Sequence, residues 1–189
     1  MNIVKVNNEM YRVLDALSLD DFEAINDEFK FKYNHIMIKR GDGTDNNYPR
    51  MGLKKPDYSR DTYGIGESLS DNFVFINLGT RLKLVAEHLL KKRFKFARVN
   101  TNIQFGGQDS NFHTDGPPNT WTFLLFTQMK WDVEWGGEFV CCIDGNYHYI
   151  PYLPNTGCLF HSHNDHKGCP PTTQCTSYRT SIAFTFDEV

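Results

Sequence analysis

The chain has 189 residues, a formal net charge of −3 and 40% hydrophobic residues, which fits one folded unit with a real core and excludes a wholly disordered chain. No apolar run reaches the roughly 20 residues of a membrane-spanning helix, and the first residues carry no signal-peptide pattern. The near-neutral charge argues against bulk electrostatic binding to nucleic acid, and five cysteines read as reduced thiols of a cytoplasmic protein.

In chain order, Ser18-Leu19-Asp20-Asp21 marks a helix start, with Ser18 as the cap and acidic residues in the first turn. Leu19, Phe22, Ile25 and Phe29 follow at helical spacing to about Lys30. Residues 40–66 are rich in Gly, Asn, Asp and Pro, as in a long loop that serves as a lid or binding segment. A second helix is expected over residues 80–93, burying Leu82, Val85, Leu89 and Leu90.

After Phe94 the pattern changes to strands. Residues 98–105 alternate polar and apolar with period two, and further strands are expected over 121–129, 136–141, 147–152, 157–161 and 178–186. Short strands separated by turn residues predict an antiparallel sandwich or barrel. The whole reads as mainly β with flanking α: helical support and a probable substrate loop over 1–97, and a β core over 98–189.

The chemistry gathers around Asn111-Phe112-His113-Thr114-Asp115-Gly116. On an extended segment His113 and Asp115 point to one face, two-thirds of a facial metal triad. A second pair, His163 and Asp165, has no histidine downstream, whereas His113 is followed by His148, His161, His163 and His166. His113 and Asp115 are therefore preferred as the near ligands. Asn100, Asn102 and Gln104 alternate on one strand face just before them, either lining the barrel or facing solvent. Cys158, His163, His166, Cys169 and Cys175 lack the spacing of a common structural zinc site.

These pieces resemble the Fe(II)- and 2-oxoglutarate-dependent oxygenases, in particular the prolyl 4-hydroxylase-like branch. His113-Thr-Asp115 looks like the family's His-x-Asp motif, and 121–126 like the strand that follows. Gly136-Gly137-Glu138-Phe139 is similar to the Gly-Gly-Glu-aromatic segment, and 154–160 to the strand leading to the distal histidine. His166-Lys-Gly168-Cys-Pro170 and Tyr178-Arg179-Thr180-Ser181 resemble the distal histidine and the closing Arg-x-Ser strand.

The resemblance implies a double-stranded β-helix (a cupin-like jelly-roll) with N-terminal helices packed on one sheet. It implies iron held by His113, Asp115 and His166, with His163 and His161 as alternatives for the distal ligand. Arg179 suits the far carboxylate of 2-oxoglutarate because its planar guanidinium makes parallel charge-assisted bonds, with Ser181 adding a hydroxyl. Arg98 is a rival anchor, Asn102 and Gln104 are candidate co-substrate contacts, and Trp131 and Trp135 suit packing or a substrate wall. The implied cofactors are Fe(II), 2-oxoglutarate and O2, with ascorbate as a reductant. Because Asp115 is present where related halogenases carry a small residue, hydroxylation is the expected reaction, releasing succinate and CO2. The expected substrate is a peptidyl proline or another protein side chain. Alternatives are a free amino acid or small metabolite, AlkB-like nucleic-acid demethylation, or a non-catalytic cupin-like metal-binding module.

Overall fold

A computed structural model describes residues 1–28, 34–38, 50–54 and 73–189 of the chain. In chain order the elements are β1 (Asn2–Lys5), β2 (Met10–Leu14), α1 (Leu19–Asp27), β3 (Asn34–Ile38), β4 (Arg50–Lys54) and α2 (Phe73–Leu90). Then come β5 (Phe94–Gln104), β6 (Thr120–Phe126), β7 (Phe139–Ile143), β8 (Asn146–Ile150), β9 (Gly157–His161), β10 (His166–Gly168) and β11 (Arg179–Glu188). Eight strands pair antiparallel in the order β1-β2-β9-β6-β11-β5-β4-β3, and β10-β7-β8 form a second, smaller sheet. These two sheets are the walls of the expected jelly-roll.

Period-two alternation decides what each face of the large sheet does. On β11, Ile182, Phe184 and Phe186 point to one side and join Val99 and Ile103 of β5 and Phe123 and Leu125 of β6. The helices cover this side through Ile25 of α1 and Phe75, Leu78, Leu82 and Ala86 of α2. Each large apolar side chain buried there contributes about 1.5–3 kcal/mol. The intervening positions face the small sheet, where Leu124, Phe126, Cys158, Phe160 and Ala183 meet Phe139, Cys141, Ile143 and Ile150. Arg179, Ser181, Asn102 and Gln104 share this second parity, so the polar row of β5 faces the interior cleft rather than solvent.

The N-terminal part differs from a purely helical support. It adds four strands, with β2 extending the large sheet by pairing Met10 with Phe160 and Val13 with Gly157. Helix α1 starts as expected, Ser18 Oγ accepting the Asp21 N–H at 3.3 Å. Helix α2 begins at Phe73, seven residues before the expected start at 80, and ends before Lys91, which takes a left-handed conformation (φ 55°). Of the expected stripe only Leu82 is fully buried, while Val85, Leu89 and Leu90 pack at the margin of the core. The helix is pressed so close to the sheet that a Cβ on Gly79 would lie 2.8 Å from the Phe96 ring. Of the loop expected over 40–66, residues 50–54 are strand β4 and the remainder lies outside the described residues.

Candidate active site

Two loops and two strands bring the predicted ligands together. His113 and His166 form an isolated antiparallel bridge: the His113 N–H donates to the His166 carbonyl at 3.0 Å, and the His166 N–H donates back at 2.9 Å. The Asp115 N–H donates to the Ser162 carbonyl at 2.9 Å. The consequence is a tight cluster in which ligand atoms of His113, Asp115 and His166 all lie within 4.8 Å of one another. His166 Nε2 stands 3.2 Å from Asp115 Oδ2, and His113 Nε2 stands 3.6 Å from Asp115 Oδ1.

The imidazoles are oriented from behind. His113 Nδ1 donates to the Asn111 carbonyl at 3.0 Å, and His166 Nδ1 donates to the Asn164 carbonyl at 2.8 Å. A carbonyl only accepts, so Nδ1 carries a proton in both rings, and Nε2 faces the cluster centre, where a metal would take its lone pair in place of a proton. Burial works against the Asp115 carboxylate. The hydrogen bond with His166 and the charges of His166, His113 and Arg98 outweigh it and hold the carboxyl well below the usual carboxylate range. Two imidazoles and one ionised carboxylate on one side are a donor set that fits a divalent first-row metal with open positions opposite.

Strand parity separates the histidines that sequence reasoning left open. His161 belongs to β9 and faces the helix side, its ring 5.2 Å from that of Trp121 and its Nε2 bonded to the Pro118 carbonyl. His163 is exposed on the following turn, and that turn resets the alternation so that buried His166 faces inward. His148 contacts Asn7 at 3.3 Å instead. Among the described residues, Cys158, Cys169 and Cys175 join no metal-competent cluster.

At the other end of the same cleft lies Arg179, 2% exposed. Its Nε donates to the Gly137 carbonyl at 2.7 Å, and its Nη1 donates to Gln104 Oε1 at 2.9 Å and Ser181 Oγ at 3.3 Å. Its guanidinium lies over the rings of Tyr152 (5.1 Å) and Phe126 (5.4 Å). Nη2 is buried with no hydrogen-bond partner. Burial pushes the pKa of this guanidinium below its ordinary value, and among the described residues no carboxylate hydrogen-bonds to it. A buried cation with one idle donor is an uncompensated charge, and a ligand carboxylate at Nη2 would relieve it. The space is kept by Gly168: a Cβ there would meet Nη1 at 3.1 Å and both Cζ and Nη2 at 3.2 Å.

The other expected contacts divide. Asn102 lines the cleft opposite Ser181, its amide making no hydrogen bond to a described residue. Gln104 is engaged at both ends, accepting from Arg179 and donating through Nε2 to the Gly168 carbonyl at 3.1 Å, so it holds the arginine in place. Arg98 does not line the cleft; its Nη2 donates to the backbone carbonyl of Asp115 at 2.6 Å. Trp131 packs with its ring 4.4 Å from that of Tyr152, and its Nε1 donates to the Gly136 carbonyl. Tyr152 was missing from the sequence reading. Its hydroxyl donates to the Thr180 carbonyl at 2.6 Å while its ring backs Arg179, and no local motif announces either contact.

No protein-family model and no curated protein matches the sequence. Solved structures do match. A 2OG-Fe(II) oxygenase family oxidoreductase from Burkholderia pseudomallei superposes with TM-score 0.68 at 13% identity, over 95% of this chain and 85% of that one. The chain has the fold of the 2-oxoglutarate/Fe(II) oxygenases. A Pseudomonas putida prolyl-4-hydroxylase shares this oxygenase fold with TM-score 0.60 and 14% identity, covering 96% of this chain and 93% of that one. The non-heme alpha-ketoglutarate-dependent epimerase SnoN from nogalamycin biosynthesis matches with TM-score 0.66 and 11% identity, covering 95% and 78%. The fold thus carries more than one chemistry among its matches. Among the described residues no helix is long and apolar enough to cross a membrane.

Proposed function

We propose that the protein is an Fe(II)- and 2-oxoglutarate-dependent hydroxylase acting on a peptidyl proline or another protein side chain. The observation that carries the reading is the pairing of two half-sites in one cleft. A His113–Asp115–His166 donor set stands at one end, and a buried arginine with an unpartnered Nη2 stands at the other. A free binding module has no need of both.

Fe(II) with 2-oxoglutarate and O2 would supply, when bound, oxidative decarboxylation coupled to hydroxylation of an unactivated C–H bond, one oxygen atom of O2 going to succinate and the other to the product, with release of CO2. The residues do the rest. His113 and His166 present Nε2, each fixed by the proton it keeps on Nδ1. Asp115 adds a permanent negative charge, and Arg179 clamps the far carboxylate with Ser181 and Asn102 beside it. Phe139 and Phe160, whose rings lie tilted and edge-on at 5.5 and 4.7 Å from the His166 ring, keep water from that side.

The peptide reading draws on the likeness to the prolyl-4-hydroxylase and on the rings beside the metal loop: exposed Phe112 and Tyr147 lie 5.6 Å apart. The likeness to an epimerase of a biosynthetic route supports a small-molecule substrate as the second reading. Succinate release by the Fe(II)-loaded protein, screened over proline-containing peptides, free amino acids and methylated oligonucleotides, tests the choice. Peptide-dependent release is the expected result. No succinate with any substrate, together with no divalent-metal binding, overturns the reading.

A further inference from the structure

Arg98 lies on the inward parity of β5, and its surroundings differ from those of Arg179. It pairs with Thr185 across β5 and β11, outside the lining of the cleft. Its 2.6 Å bond to the Asp115 carbonyl is its one hydrogen bond among the described residues, and its Nε is buried without a partner. Among the described residues no carboxylate side chain bonds to it, and its charge reaches the Asp115 carboxylate only through space.

The local backbone gives the reason. His113 is fixed by its reciprocal bonds to His166, and Asp115 is fixed on its N–H side by Ser162. The next peptide leads into Gly116, which sits so close to Thr120 that a Cβ would lie 2.9 Å from its Oγ1. Glycine carries no Cβ to hold its own backbone, so the 115–116 peptide takes its orientation from what bonds to it. The Asp115 carbonyl belongs to that peptide, and Arg98 is what grips it.

We propose that Arg98 is a positioning residue for the metal site: its bond to the Asp115 carbonyl locks the 115–116 peptide and so aims the Asp115 carboxylate at His113 and His166. This rests on the reading of those three residues as metal ligands. Simple electrostatics predicts the opposite effect. A cation behind the carboxylate repels a cation in front of it, so removing Arg98 without any change in geometry would strengthen metal binding. A positioning role predicts weaker binding.

The test is anaerobic titration with Co(II), followed by its visible absorption, on wild type, Arg98→Met, Arg98→Lys and His113→Ala. Arg98→Met should weaken Co(II) binding by about 10- to 100-fold, the usual cost of losing a group that orients a ligand. Arg98→Lys, which keeps one charged donor for the Asp115 carbonyl, should fall between Arg98→Met and wild type. It also serves should the methionine variant fail to fold. The affinity of the Co(II)-saturated protein for 2-oxoglutarate should stay unchanged. Equal or tighter Co(II) binding in both Arg98 variants overturns the proposal, as does a loss confined to 2-oxoglutarate affinity. If wild type binds Co(II) no better than His113→Ala, the metal-site reading fails first and takes this proposal with it.

Discussion

Gly168→Ala probes the arginine slot with a single methyl group. The added Cβ would lie 3.1–3.2 Å from three atoms of the Arg179 guanidinium, which must give by a few tenths of an ångström. The group cannot recoil as a whole, because its Nε is tied to the Gly137 carbonyl at 2.7 Å. It pivots instead about that bond, stretching the 2.9 Å contact from Nη1 to Gln104 and tipping Nη2 out of line. A carboxylate gripped by two parallel bonds would then keep one. Losing a charge-assisted hydrogen bond costs about 1.5–3 kcal/mol, so 2-oxoglutarate should bind roughly 10- to 150-fold more weakly. Gly168 does not need a left-handed backbone, so the variant should fold. Calorimetric titration of 2-oxoglutarate into Co(II)-loaded wild type and variant measures the difference. An unchanged 2-oxoglutarate affinity, or a loss of Co(II) affinity in its place, would falsify the assignment of this slot.

Other consequences follow from the same geometry. For wild type, 2-oxoglutarate at a hundredfold excess over its dissociation constant adds about 2.7 kcal/mol of stability, raising Tm by about 5–10 °C. Arg179→Met should abolish that shift in a thermal scan, and a retained shift would put the co-substrate elsewhere. His166→Ala should remove Co(II) binding while His163→Ala leaves it intact, since His163 is exposed on the turn; the reverse pattern in a metal titration would reassign the distal ligand. Asp115 has a folded-state pKa below its unfolded value, so its stabilisation is full above the ordinary carboxylate range and is lost as the pH falls through the depressed value. In metal-free protein, urea midpoints measured from about pH 5 to pH 2 should therefore fall less steeply in Asp115→Asn than in wild type. Equal slopes would mean that the carboxyl is not held in its charged form.

Strands β5, β6, β9 and β11 were legible because one face of each packs on the helix side and the other on the small sheet or the cleft, whereas the three-residue β10 is too short to show a pattern. Strand β1 has no such pattern: Asn2, Val4 and Lys5 are exposed and only Ile3 is half-buried, so nothing in its residues distinguishes it from a loop. His113 and Asp115 could be picked out because their spacing is local, whereas His166 and Arg179 followed only from the resemblance to the 2-oxoglutarate oxygenases. The place of His161 could not, since it turns on where β9 ends and the alternation restarts. The partners of Arg98 and Gln104 were equally hidden. Each lies on the inward parity of β5, and whether it meets a ligand, a carbonyl or another side chain depends on segments far along the chain. Tyr152 shows the same limit from the other side, as an aromatic residue after a strand whose hydroxyl and ring both serve β11.

The reciprocal bridge between His113 and His166 bears on how an ion would reach the proposed site. Two distant stretches of chain are already joined by a pair of amide–carbonyl bonds, so a metal arriving there closes no new loop. In small zinc modules the ion organises the polypeptide, and chelators unfold it. Here a chelator should leave a folded shell that reloads in place. Two imidazoles and one carboxylate are also donors that most divalent first-row ions accept. Tighter-binding neighbours of iron in the first transition row would occupy it readily, and cellular supply would then determine which metal the protein carries.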